Sequence, residues 1–380
     1  MKKSSLTTSE SVIYSHTGLR GIAAMIVFFY HVYSSEGMGK NIGWNLDYRV
    51  FRFCLSGWLA VDLFFVLSGF ILNWVYLSNE EGLNWSGYLR ARVARIMPLY
   101  YLMIVLMVPL HLVRHGLSFL GGDYLIKILA NIFMVSGIID GADYTIDSPA
   151  WSICVEFFCY LAVFPVLIWI NRSLLQKGFK IATFALIACI CTYSFVAYTH
   201  VPPVSIYHWQ WKSMFLVGGV LEFSTGFLLC SIMRMTSNWK PNLLLINLVV
   251  LGSITVFVLT RLDYLKDEYF HYVLPLLVFF TAFDKGIVAY ILKFRMFQWL
   301  GEISYSIYLW HIPVTVCFIE FYKSAYVRLF KTHPPMGLFT FALLVGVVLL
   351  ISELSYRYFE IPCRQFIRRS GWRNSTVKRA

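Results

Sequence analysis

Charge is what this sequence has least of. Only 14% of its residues are Asp, Glu, Lys or Arg, while 58% are hydrophobic. The mean hydropathy of +0.65 lies well outside the range of water-soluble domains, whose polar residues must cover the whole surface. A large polar block is also missing: no segment between residues 18 and 360 is polar enough to make a separate soluble domain. No Gly/Ser-rich or Pro-rich linker divides the chain, and no tandem repeat at a fixed period is visible, which argues against a multi-domain or solenoid protein. The first residues, MKKSSLTTSESVIYS, lack a short apolar core followed by a small-residue cleavage site, so no removable signal peptide is expected and targeting falls to the first apolar run. The eight cysteines include no CxxC pair and have no His at metal-ligand spacing. We expect no metal from them and read them as small, buried apolar residues.

What the sequence has instead is long apolar runs and many aromatics, at 18% of residues, as suits helix ends at two bilayer interfaces. Runs of roughly 20 mostly apolar residues lie near 18–35, 54–77, 96–114, 150–170, 179–198, 213–233, 243–261, 269–283, 303–323 and 337–359. The fold class expected is therefore all-α, a polytopic membrane bundle of about ten transmembrane helices. A further run, Ile126 to Ile139, is too short to cross and reads as a re-entrant or interfacial segment. The organisation expected is a cytoplasmic N-terminal segment (1–17), a membrane domain (18–360) and a basic cytoplasmic tail (361–380).

Sidedness follows from Lys and Arg, because positive loops stay cytoplasmic. With the N-terminus inside, 21 of the 32 basic residues fall on the inner side, including the seven from Arg357 onward. The segment 115–149 carries Asp123, Asp140, Asp143 and Asp147 against one Lys127, as an external loop would. Both termini are thus expected in the cytoplasm, with the chain in the inner (plasma) membrane. The net charge of +12 needs no nucleic acid to explain it, since anionic headgroups of the cytoplasmic leaflet suffice.

Ionisable groups inside a span are expensive and tend to be functional. Five stand out: His31, Asp62, Glu156, Glu222 and His311. Arg20 and His31 are eleven residues apart, which on a helix places them on one face, about 16 Å apart along the axis. Asp62 and Glu156 fall at about the depth of His31, some 9–12 Å below the outer surface at 1.5 Å per residue. A His beside carboxylates is what general-base catalysis asks for, the acid holding the imidazole tautomer. The competing reading is a polar cluster that only locks the bundle. The other histidines, His16, His111, His115, His200, His208, His271 and His333, fall in loops or at span ends and read as surface residues. Arg90, Arg92 and Arg95 precede Pro98, where the first turn of the third helix is expected. They read either as positive-inside flanks or as bidentate donors to phosphates.

In order, the blocks HTGLRGIAAMIVFFYHV, GWLAVDLFFVLSGFIL, RVARIMPLYY, SPAWSICVEFFCYLAVFP, GEISYSIYLWHIPV and YRYFEIP resemble the acyltransferase-3 family of integral membrane acyltransferases, from residue 17 to 362. The resemblance implies about ten transmembrane helices and a cytoplasmic acyl-CoA donor, most often acetyl-CoA, as co-substrate, with no permanently bound cofactor. Its Arg-x10-His signature matches Arg20 and His31, the His being the residue implied in catalysis. Its FFxxSGF block matches Phe64, Phe65, Ser68, Gly69 and Phe70, preceded by Asp62. WSLxxE matches Trp151, Ser152 and Glu156; SYxxYLxH matches Ser304, Tyr305, Tyr308, Leu309 and His311; the arginine block matches Arg92 and Arg95. The chain departs from the family where a glycine pair and a further glycine often precede FFxxSGF: here these are Ser56, Gly57 and Ala60. Family members that pass the acyl group onward often carry a fused extracytoplasmic esterase-like domain, and such a partner, where the reaction requires one, is expected here as a separate protein.

The expected activity is transfer of an acyl group, acetyl first, from cytoplasmic acyl-CoA to a hydroxyl of a cell-surface glycan or lipid-linked sugar. His31, Asp62 and Glu156 are the candidate catalytic residues; Arg20, Arg92 and Arg95 the candidate donor-binding residues; Ser68, Trp151, Tyr305 and His311 candidates for the pocket. His31 either removes the acceptor proton directly or carries the acyl group first. The alternatives are acylation of a secondary metabolite such as a macrolide, a transporter or flippase of a lipid-linked glycan, and a polysaccharide polymerase. Transporters usually show repeated halves with broken helices, and polymerases long outward loops; neither is visible.

Overall fold

The structure, a computed structural model, describes residues 12–34, 53, 57–77, 83–116, 123–138, 149–173, 212–266, 268–331 and 338–370. Helix α1 (Tyr14–Ser34) is followed by α2 (Gly57–Tyr76), α3 (Trp85–His115) and the short α4 (Asp123–Ile132). Then α5 (Ala150–Phe158) runs through a π-turn at Cys159–Val163 into α6 (Phe164–Ser173). Helices α7 (Lys212–Met235), α8 (Leu243–Arg261) and α9 (Glu268–Thr281) come next, then two short ones, α10 (Ile287–Leu292) and α11 (Arg295–Glu302). The long α12 (Ser304–Phe330) precedes α13 (Leu338–Ser355), which passes through a second π-turn, Tyr356–Glu360, into α14 (Ile361–Ser370). The described residues form helices and no strand, as the apolar runs predict.

Six helical stretches among the described residues are long and apolar enough to cross a membrane: Gly57–Tyr76, Trp85–Val113, Ala150–Arg172, Leu216–Met235, Leu243–Arg261 and Phe339–Arg369. Each coincides with or contains a run read from the sequence; the run near 179–198 lies outside the described residues. Helices α1 and α12, at 21 and 27 residues, have the length of a span but a lower mean hydropathy. Among the polar residues in them, Arg20 and His31 on one and Ser304, Tyr305 and His311 on the other belong to the sites described below. Helix α9 has 14 residues, which at 1.5 Å each reaches about 21 Å, short of the roughly 30 Å hydrocarbon core. Leu244 and Leu248 on α8, Val105 and Val113 on α3 and Phe339 on α13 are exposed large apolar side chains, an outer surface suited to lipid rather than water.

The third helix corrects the sequence reading. It begins at Trp85, not near residue 96, because the Asn84 side chain caps it by accepting from the Gly87 N–H at 3.0 Å. Pro98 and Pro109 are therefore inside the helix, and Arg90, Arg92 and Arg95 project from its body. Membrane helices tolerate such prolines because neighbours satisfy the freed backbone groups. Beyond residue 360 the chain stays helical as far as Ser370, where α14 continues α13.

Two close approaches set the interior. A Cβ on Gly69 would lie 1.8 Å from the Phe223 carbonyl oxygen, and one on Gly226 would lie 1.9 Å from that of Val66, so α2 and α7 pack backbone to backbone. Asn73 donates from Nδ2 to the Phe227 carbonyl at 2.7 Å. Arg234 gives its guanidinium to the carbonyls of Asn73, Trp74 and Leu77, satisfying the end of α2. Similarly, a Cβ on Gly301 would lie 2.0 Å from the Thr17 carbonyl oxygen, which brings the α11–α12 junction against α1. Asp284 completes that contact by accepting from the backbone N–H of Ser15 at 2.9 Å, at the start of α1. Gly57, at the family's glycine-pair position, faces Tyr30, whose ring would lie 2.4 Å from an added Cβ.

Candidate active site

A cavity of about 150 Å³ opens between α1, α2, α3, α5 and α12. Arg20, Arg92, Arg95, Glu156, Ser68, Tyr160, Tyr305 and Tyr308 line it. Three guanidinium groups face one carboxylate among these residues, so the cavity is built to receive an anion.

Local order holds each group in place. The α1–Gly301 contact brings Arg20 to Ser304, to which its Nη2 donates at 3.0 Å, while Ser304 Oγ donates to the Gly301 carbonyl at 2.8 Å. Arg92 lies over the rings of Tyr76 and Tyr160, 5.4 and 5.5 Å from their centroids, and donates to Tyr76 Oη at 3.3 Å. Its buried Nε–H has no hydrogen-bond partner among the described residues, leaving a donor to spare. Glu156 Oε1 accepts from Ser68 Oγ at 2.6 Å and from Tyr160 Oη at 2.5 Å. The carboxylate is thereby tied into a trio that joins α2 to the π-turn; such turns often mark functional sites. Tyr305 donates to the Ile96 carbonyl at 2.7 Å, two residues before Pro98.

The histidines form a second group. His31 and His311 are paired: Nε2 of His311 lies 3.2 Å from Nδ1 of His31, with ring centroids 5.0 Å apart. Nδ1 of each ring also faces the carbonyl one helical turn back, Val27 for His31 and Ile307 for His311, both at 3.0 Å. A carbonyl only accepts, so both rings carry their proton on Nδ1. The Nδ1–H of His31 is then shared between the Val27 carbonyl and the lone pair on His311 Nε2. This leaves Nε2 of His31 as an unprotonated base. His311 is fully buried and packed between Phe28 and Tyr308, whereas His31 is half-buried. Tyr308 links the two groups, since it lines the cavity, donates or accepts with Ser152 Oγ at 2.6 Å, and has its ring 6.0 Å from that of His311.

The sequence-derived candidates therefore separate. Arg20, Arg92, Arg95, Ser68, Glu156 and Tyr305 meet at the cavity, and Trp151 stands beside it through its lining neighbours Ser152 and Ile153. Neither Asp62 nor Glu156 is hydrogen-bonded to His31 among the described residues; the partner expected of a carboxylate is His311. Shared depth on separate helices does not fix which faces meet, and here they do not. Asp62 instead faces Glu222 and His271. His271 and His16 correct the surface assignment: both are buried, with His16 Nε2 3.0 Å from the Val278 carbonyl and its ring 4.9 Å from Phe70. His200, His208 and His333, and the side chain of His115, lie outside what is described. The cysteine reading holds for Cys154, Cys159 and Cys230, which are buried, and fails for Cys317, exposed on α12. Tyr160 was missed; its spacing of four from Glu156, on one helix face, was the available signal.

The family model described as an acyltransferase domain matches residues 13–353, and the chain belongs to that family. It is 24% identical over 385 residues to a Bacillus subtilis protein named "Putative peptidoglycan O-acetyltransferase", with 94% of this chain and 55% of the relative covered. To a "Peptidoglycan O-acetyltransferase" of Listeria monocytogenes it is 26% identical over 399 residues, covering 96% of this chain and 57% of the relative. A "Putative O-acetyltransferase" of Staphylococcus aureus is 25% identical over 391 residues, with 95% and 59% covered. The chain thus spans a little over half the length of these relatives. No solved structure matches it.

Proposed function

We propose that this member of the acyltransferase family transfers an acetyl group from acetyl-CoA, drawn from the cytoplasm, to a hydroxyl of a cell-envelope glycan or its lipid-linked precursor. The observation that carries the reading is an anion-accepting, three-arginine cavity together with a half-buried His31 whose Nδ1–H is held by the Val27 carbonyl and faces a second histidine. The names of the relatives support a peptidoglycan-type acceptor and an acetyl donor. The division of basic residues supports an inner-membrane protein with both termini in the cytoplasm.

In this reading the arginines hold the donor phosphates at the mouth of the cavity, and the slender thiol arm carries the thioester inward past Ser68 and Tyr308. Nε2 of His31 takes the proton of the acceptor hydroxyl as its oxygen attacks the thioester carbonyl. The C–S bond then breaks, and the leaving thiolate recovers that proton from the imidazolium. His311 accepts from Nδ1–H throughout and stabilises the charged ring, the role a carboxylate fills in the Ser-His-Asp arrangement. Glu156 positions Ser68 and Tyr160 within the cavity and offsets part of the arginine charge.

The test is reconstitution. Membranes carrying the chain are given acetyl-labelled CoA and an isolated glycan acceptor, and alkali-labile label on the glycan is counted. Labelling by the parent and none by His31→Gln is the expected result. Equal labelling by both would remove His31 from the chemistry, and transport of an unacetylated glycan without label transfer would favour a flippase.

A further inference from the structure

Asp62, Glu222 and His271 come from three different helices, α2, α7 and α9, and meet inside the bundle away from the cavity. All three are buried, and one potential ligand atom from each lies within 4.8 Å of the others. The two carboxyls are hydrogen-bonded to each other, yet Asp62 Oδ2 is buried with no hydrogen-bond partner and lies 3.9 Å from His271 Nδ1. Among the described residues no Lys or Arg pairs with either acid. Carboxyls buried without a countercharge must either keep their protons or hold a cation.

We propose that Asp62, Glu222 and His271 bind one divalent transition-metal ion of the zinc type, which ties α9 to the α2–α7 pair. A charged imidazole answering the acid directly would draw it to hydrogen-bond distance, about 2.8 Å. A gap of 3.9 Å is within reach of one ion joining nitrogen and oxygen through bonds of about 2.0–2.2 Å, and would close to about 3.4 Å at the tetrahedral angle. One imidazole and two carboxylates favour zinc, manganese or iron over calcium or magnesium, which prefer all-oxygen shells and, for calcium, six to eight ligands. Trp58, with its ring centroid 5.8 Å from that of His271, walls one side with apolar surface that would strengthen ligation by excluding water. The site is separate from the donor cavity, so its role is to fix helix packing.

Detergent-purified full chain, stripped with chelator and then loaded with Zn²⁺ or Co²⁺, provides the test. The parent should retain about one ion per chain by elemental analysis, gain thermal stability on loading, and show visible Co²⁺ absorption of the low-coordinate kind. Asp62→Asn and Glu222→Gln, which preserve shape, and His271→Asn should each weaken retention by more than the roughly 10–100-fold that loss of an outer-shell partner costs. A parent that retains no ion and shows no Co²⁺ absorption would overturn the proposal in favour of a shared-proton cluster, as would retention unchanged in all three variants. Should a variant fail to fold, the Co²⁺ spectrum of the parent decides alone.

Discussion

His311→Phe offers a direct way to separate the base from the group that holds it. Phenylalanine fills the space of the fully buried His311 between Phe28 and Tyr308 but cannot accept from the His31 Nδ1–H. His31 would keep the Val27 carbonyl, at 3.0 Å, and hence its tautomer and its basic Nε2. What is lost is one hydrogen bond, and it matters most when the ring is protonated in the transition state, where a bond to a charged group contributes about 1.5–3 kcal/mol. At about 1.4 kcal/mol per tenfold, kcat/KM should fall roughly 10–150-fold. Loss of the base itself in His31→Gln removes roughly 10² to 10⁴. His311→Gln, whose amide oxygen can accept, should recover most of the His311→Phe loss, which a purely steric role would not allow. The assay is acetyl transfer to glycan at saturating and limiting donor, with abundance and monodispersity checked in detergent. If His311→Phe is as active as the parent, the pair has no catalytic role. If it is as inactive as His31→Gln and glutamine gives no recovery, His311 acts on substrate itself.

The remaining expectations can be checked with the same preparations. Arg92→Ala with Arg95→Ala should raise the KM for acetyl-CoA by about tenfold or more, the cost of losing a hydrogen bond to a charged group; lysines should restore it partly, as they lack the planar fork, and an unchanged KM would reduce both to topological flanks. Glu156→Gln keeps an acceptor for Ser68 and Tyr160 but removes the single negative charge of the cavity, so the donor KM should fall; a kcat loss of about 10² or more would make Glu156 a proton-transfer group instead. Gly226→Val would drive a Cβ to 1.9 Å from the Val66 carbonyl oxygen, and the thermal midpoint in detergent should drop by an amount corresponding to at least about 1–3 kcal/mol. Reporter fusions at Ala380 and in the loop near Asp143 should give cytoplasmic and external signals respectively.

The class of this protein could be read from its sequence, because apolar runs of membrane-spanning length admit helices and little else: every backbone group must be satisfied where there is no water. Intramembrane ionisable residues were equally legible as candidates, since burying them is costly, and the Arg20–His31 spacing followed from helical period alone. Tertiary structure decided which of those residues meet. Depth along a helix can be counted from sequence, but rotation about its axis is set by what packs against it, and here that is decided by backbone contacts at Gly69–Phe223, Gly226–Val66 and Gly301–Thr17. Those contacts bring Arg20 to Ser304 and send Asp62 toward Glu222 and His271 rather than toward His31. The start of α3 was missed because Asn84 caps the helix by a local hydrogen bond that a hydropathy window does not register, while Pro98 looked like a helix start. The His31–His311 pair joins residues 280 apart in the chain, a contact that no local pattern encodes and only the packing of α1 against α12 creates.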